Sequence, residues 1–222
     1  MASVVDICNT GLALLGDRAT LASIDPPEGS AQADHCAQFW PIARDEALAS
    51  HNWRFCFTVS SLAALDASLN SHPHWLFAYA LPTDFLVARE LVLENGSILA
   101  YTPDQPQWEI AQTDAGTPVL FTNYEDVALG FTKRVSNPQR YPAKLVSALG
   151  YLMASYLAGP VIKGKSGMQT SVAMRQYWDK LSMEAAVTDA NQGHTKAVYT
   201  PASVRARGAS NVSRRELPFW AV

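Results

Sequence analysis

Eight consecutive residues carry the strongest chemical pattern in this sequence: Gly159-Pro160-Val161-Ile162-Lys163-Gly164-Lys165-Ser166 satisfies G-x-x-x-x-G-K-[ST]. In that pattern backbone N–H groups cradle phosphates, the lysine reaches the terminal phosphates and the hydroxyl holds magnesium. The chemistry requires a strand before the loop, a helix after it and a parallel sheet around both. Here the residues before Gly159 carry a helical apolar period too long for a strand, and only one helical period and a tail follow Ser166. The expectation is a basic turn between two helices. A P-loop nucleotide hydrolase on Gly159–Ser166 stands as the enzymatic alternative.

The other reactive residue types form no constellation. His72-Pro73-His74 supplies two imidazoles, with His51 or His35 as a third, but no carboxylate or cysteine sits at ligand spacing. Cys8 and Cys36 lie on apolar helical stripes and read as small core residues, and Cys56 alternates with Phe55 and Phe57. A reactive thiol needs an electropositive setting, which none of the three shows. No G-x-S-x-G elbow nominates a serine nucleophile. The expectation is therefore no enzyme, no catalytic or metal-binding residue and no cofactor.

Charge points instead to a binding segment. Residues 193–222 hold Lys196, Arg205, Arg207, Arg214 and Arg215 against Glu216 alone, which leaves 12 basic and 19 acidic residues on the rest of the chain. An acidic body is poorly suited to gripping DNA over a broad face, because phosphate binding needs clustered cations. A nucleic-acid-binding module using the basic tail remains a further alternative. The tail ends in Leu217, Pro218, Phe219 and Trp220, and Trp is enriched at binding hot spots. Arg205, Arg207, Arg214, Arg215, Leu217, Phe219 and Trp220 are thus the expected partner-binding residues of a docking arm, the alternative being a tail folded onto its own chain.

The elements that must position these residues follow from periodicity. The 222-residue chain is 48% hydrophobic and only 17% charged, below the roughly 25% charged usual for a soluble domain, which hints at surface covered by partners. No uninterrupted apolar run is long enough to span a bilayer, so no membrane segment is expected. Three cysteines without C-x-x-C spacing make a disulfide framework an unlikely design.

Val5, Cys8, Leu12 and Leu15 mark a helix near 2–16, and Cys36, Trp40, Ala43 and Ala47 one near 30–51, capped by Ser30 and kinked or split at Pro41. Short β-branched and aromatic runs occupy about 55–135, with Asn95-Gly96 as the strongest hairpin signal. Leu145, Leu149, Leu152 and Tyr156 mark a helix near 142–158 that ends at Gly159-Pro160. Ser166 and Gln169 suggest the cap of a last helix near 166–190, with Met174, Tyr177 and Leu181 inward.

The expected fold class is α+β: an antiparallel helical bundle with an inserted antiparallel β region and an extended C-terminal tail. The expected domains are a discontinuous bundle of 1–53 and 137–191, an inserted β domain over 54–136, and a docking arm over 192–222. Trp40, Trp53, Leu149, Leu152, Tyr177 and Leu181 should be core.

Five blocks in order complete the reading: Ile7 to Gly16; Phe39-Trp40-Pro41 through Leu48; His51-Asn52-Trp53-Arg54-Phe55; Tyr79-Ala80-Leu81-Pro82-Thr83-Asp84-Phe85-Leu86; and Tyr141-Pro142 with Ala148 through Ala154. Over about residues 2–190 this resembles the tail tubular protein A family of short-tailed bacteriophages, the head-to-tail adaptors or gatekeepers. That family often has a basic residue soon after its L-P-x-D-[FY]-L block, and Arg89 here is slightly displaced. The resemblance implies a virion protein made in the host cytoplasm, a ring of twelve identical subunits beneath the portal protein and above the tail nozzle (tail tubular protein B-like) protein. Such a ring extends the DNA channel and helps retain the packaged genome, which passes without sequence-specific binding. An acidic wall would let a polyanion slide, whereas a basic one would add salt-dependent drag.

Overall fold

The computed structural model of the chain describes residues 2–66, 72–93, 107–113 and 116–192. Helix α1 (Val4–Leu14) starts where Ser3 and Asp6 close a capping box: the Asp6 N–H donates to Ser3 Oγ at 3.1 Å, and the Ser3 N–H donates to Asp6 Oδ2 at 2.9 Å. Two donors at the start of the helix are satisfied in this way. Ile7, Cys8, Gly11 and Leu12 form its inner face. Asn9 ties down the loop that follows, donating to the Leu21 carbonyl at 3.1 Å and accepting the Leu21 N–H at 2.8 Å.

Helix α2 (Ala31–Ala49) begins at Ser30, whose hydroxyl accepts the Ala33 N–H, and buries the expected Cys36, Trp40, Ala43 and Ala47. It runs as one element through Pro41 rather than as two pieces. Pro41 is exposed, where water can serve the carbonyl that its missing N–H leaves open. Beyond α2, the buried Trp53 indole donates to the Ala47 carbonyl at 2.8 Å and pins the helix exit.

Six strands follow in two three-stranded antiparallel sheets: β1 (Phe57–Ser61), β2 (Phe77–Ala80), β3 (Phe85–Leu93), β4 (Trp108–Gln112), β5 (Pro118–Thr122) and β6 (Val127–Lys133). One sheet has the order β1-β6-β3, with Phe57 opposite Thr132 and Leu91 opposite Leu129; the other has the order β2-β5-β4, with Tyr79 and Ile110 flanking Leu120. The central strands bury their residues on both faces, Val127–Thr132 in one and Val119–Thr122 in the other. Tyr79 and Leu120 from one sheet share a core with Leu91, Leu129 and Phe131 from the other. The Asn95-Gly96 hairpin falls outside the described residues, as do residues 193–222 with the proposed arm.

Helix α3 (Ala143–Ile162) packs against α1, α2 and α4 (Gly164–Ala190). The approach to α1 is close: a Cβ on Gly11 would sit 3.1 Å from Met153 Cβ, and one on Gly150 would sit 2.8 Å from Thr10 Cγ2. Leu145, Leu149 and Leu152 are fully buried, with Trp40, Trp53 and Trp178 in the same core. Among the described residues only α3 is long and apolar enough to cross a membrane (mean hydropathy 1.6), and 56% of its most apolar 18-residue window is buried within the fold. No uninterrupted apolar run is involved, because Lys144, Ser147 and Gly150 interrupt the sequence without much lowering its mean.

Three local expectations are corrected. Gly159-Pro160 does not end α3, which continues to Ile162; the stop is Lys163, at φ 60° and ψ 162°. A proline in the last turn costs one hydrogen bond but need not halt the helix. Ser166 is not a cap, because α4 already starts at Gly164 and Lys163 makes no side-chain cap. Tyr177 is 55% exposed, while its neighbour Trp178 is 3% exposed. The inward face of α4 holds Gly167, Trp178, Ala185 and Asp189, one residue out of phase with the expected position, and Tyr177 stacks on Tyr151 at 5.5 Å between ring centroids. Leu181 is half-buried against the core. The remaining boundaries agree to within a few residues, and the described residues form a mixed α and β fold of four α-helices and two small antiparallel sheets.

Candidate functional site

All seven expected partner-binding residues, Arg205, Arg207, Arg214, Arg215, Leu217, Phe219 and Trp220, lie outside the described residues. The described part therefore contributes potential receptor surfaces and the geometry of the competing motifs.

The Gly159–Ser166 motif occupies two helix ends. Residues 159–162 belong to the last turn of α3 and 164–166 to the first turn of α4, with Lys163 alone between them. The Lys163 N–H donates to the Gly159 carbonyl at 3.0 Å, and its carbonyl accepts the Gly167 N–H at 3.2 Å. The donors of a phosphate loop would have to converge on one point, whereas these amides follow two helices.

His72 and His74 sit side by side, with ring centroids 5.8 Å apart. Among the described residues no group of three or more His, Cys, Asp or Glu comes together as a metal set. Cys8, Cys36 and Cys56 are all buried. The Cys8 thiol is pushed far above its ordinary value by its hydrogen bond with Cys36 and by burial. Burial pushes Cys56 up to about 12, which keeps it a thiol at neutral pH.

Charged side chains instead join the elements. Arg89 donates from Nε to Thr132 Oγ1 at 2.9 Å and from one terminal nitrogen to the Ala49 and His51 carbonyls at 3.1 and 2.8 Å. It thus binds the exposed carbonyl end of α2 to the first sheet, where the helix dipole favours a cation. Arg134 pairs with Asp45 at 3.0 Å, and Lys133 with Asp84 at 2.6 Å. Tyr156 donates to Glu46 Oε2 at 2.6 Å, and Arg175 pairs with the same carboxylate, clamping α2, α3 and α4 together. Burial, and secondarily the Glu46 contact, raises the Tyr156 hydroxyl pKa. Asp189 is buried; its Oδ2 accepts the Arg54 N–H at 2.9 Å and its Oδ1 has no partner.

Two apolar surfaces remain. Met168 (71% exposed), Val172, Met183 (70% exposed) and Val187 project from α4 at spacings of 4, 11 and 4, which place them on one stripe away from Trp178. An open cleft of about 330 Å³ lies between Leu65, Leu81, Pro82, Phe85, Pro118 and Val119, at the meeting of the two sheets. Sequence reasoning missed both. The α4 stripe had a signal, since Met168/Val172 and Met183/Val187 are two i, i+4 pairs off the buried face. The cleft had none, because its residues come from three separate segments.

No family model matches the chain, and no curated protein matches it.

Proposed function

We propose that this protein is the head-to-tail adaptor of a short-tailed bacteriophage: one subunit of a ring, by resemblance a dodecamer, that sits between the portal and the tail nozzle and extends the DNA channel. In this reading the four helices form the bundle, the two sheets form its inserted β region, and residues 192–222 form an arm that docks on the portal or on a neighbouring subunit. The subunit works in the virion by assembly and catalyses no reaction.

The observation that carries the proposal is the α4 stripe. Met168, Val172, Met183 and Val187 lie exposed on a helix whose other face is already committed to the core. A subunit in a closed ring must present two different surfaces, one to each neighbour, and the stripe and the sheet cleft are two such surfaces on different elements. The clamps at Arg89, Arg134 and Arg175 support the same reading, since they fix helices to sheet and helix to helix.

The test adds purified protein, intact or lacking residues 205–222, to portal-bearing heads lacking adaptor. The intact chain is expected to be incorporated and the shortened chain to be lost. Equal incorporation of both would remove the arm. Saturable magnesium–nucleotide binding abolished by Lys165→Ala would favour the hydrolase, and tail-dependent DNA affinity falling steeply with salt would favour the nucleic-acid module.

A further inference from the structure

The sheet cleft has the shape and surroundings of a receptor for an aromatic chain end, and the sequence supplies one. Its lining is mostly apolar and carries no charged side chain: Leu65, Leu81, Pro82, Phe85, Pro118 and Val119, with the hydroxyl-bearing Thr83 and Thr117, surround about 330 Å³, at the lower limit of sites that enclose a small ligand. Two aspartates adjoin lining residues in the chain. Asp66 follows Leu65 in the chain and has no ion-pair partner among the described residues. Asp84 precedes Phe85 and is paired with Lys133 at 2.6 Å.

The chain beyond Gln192 ends in Arg214-Arg215-Glu216-Leu217-Pro218-Phe219-Trp220. Two cations thus stand four to six residues from two aromatics, a spacing of about 13–22 Å when extended. Thirty residues follow Gln192 and can reach up to about 100 Å, whereas a globule of about 190 residues has a radius of gyration near 16 Å. The segment is long enough to leave its own subunit.

We propose that Phe219 and Trp220 of one copy enter the Leu65–Pro82–Pro118 cleft of the next copy in the ring, with Arg214 and Arg215 against Asp66 and Asp84. This rests on the ring reading above and chooses the neighbouring adaptor, not the portal, as the arm's receptor. A cleft without charge inside it suits the aromatic rings, and the adjoining aspartates fix their orientation. Passing an arm from each subunit to the next makes a head-to-tail contact that closes with the ring.

The experiment places the photoreactive residue benzoylphenylalanine at position 220 of the full-length chain, mixes it with isotope-labelled wild-type protein on portal-bearing heads, and maps cross-links by mass spectrometry. Cross-links are expected on labelled peptides carrying Leu81-Pro82 or Thr117-Pro118, reduced at least tenfold when the labelled partner carries Pro82→Arg or Thr83→Arg. Thr83 is exposed, so its variant should keep the fold, checked by an unchanged thermal unfolding curve. Cross-links confined to the same chain, to the portal or to another surface would overturn the proposal, as would their absence or indifference to both variants. Ring formation is scored separately by imaging: rings without cleft cross-links defeat this inference alone, and no rings defeat the reading beneath it.

Discussion

Helices α3 and α4 are separated by one residue and pack along each other, yet they divide their surfaces in opposite ways. Of the 20 residues in α3, ten are buried, including Leu145, Leu149, Leu152 and Met153; of the 27 in α4, only Gly167, Trp178, Ala185 and Asp189 are. Surrounded by α1, α2 and α4, α3 needs apolar side chains on nearly every face. One narrow face suffices for α4, so its exposed Met168, Val172, Met183 and Val187 have no role inside the fold. Singly exposed apolar residues are ordinary, but here two exposed i, i+4 pairs share one helical face, with Gln176 and Asp179 between them. The contrast separates residues committed to the core from residues that, in the proposed ring, would meet a neighbour.

The contrast breaks first at the shared core. Trp178→Ala should cost about 3–5 kcal/mol and Leu152→Ala about 2–5 kcal/mol, measured by urea unfolding, because both side chains are buried in the same core. A loss below about 1 kcal/mol at either site would mean that the helices do not share that core. Next, Lys163→Gly should raise stability by about 1 kcal/mol, since a side chain at φ 60° and ψ 162° occupies a region that only glycine visits freely. Unchanged or lower stability would show that the break between α3 and α4 is unstrained.

The smallest effects on folding belong to the outer face. Met183→Lys should change stability by no more than about 0.5 kcal/mol, and Tyr177→Ala should cost about 0.5–1.5 kcal/mol through its lost ring contact with Tyr151. Met183→Lys should nevertheless reduce recovery of the protein on portal-bearing heads, while Tyr177→Ala, on another side of the helix, should not. Equal recovery of both variants would detach the stripe from assembly.

How much of this was legible in the sequence depended on whether a signal was local. The Cys36–Trp40–Ala43–Ala47 stripe and the β region of about 55–135 follow local periodicity, and both appear where expected. The phase of α4 did not, because Tyr177 and Trp178 are adjacent aromatics and only packing against α3 decides which one turns inward. Lys163 hid the helix break for a similar reason: the proline and glycines around it are the usual stop signals, yet the left-handed backbone fell on a lysine. Arg89 reaching the end of α2, Asp45 meeting Arg134 and the sheet cleft all join distant segments, which no linear period encodes. Of the candidate site, the arm's composition was readable, whereas its receptor required the tertiary arrangement of the two sheets.

The central claim is that the α4 stripe serves ring assembly, and electron-microscopic imaging of purified protein mixed with purified portal tests it most directly. The account predicts closed rings stacked on the portal for the wild type and none for a Met183→Lys/Val187→Lys double variant whose thermal unfolding is unchanged. Wild-type protein that stays monomeric beside the portal, or a double variant that forms the same rings, would contradict it.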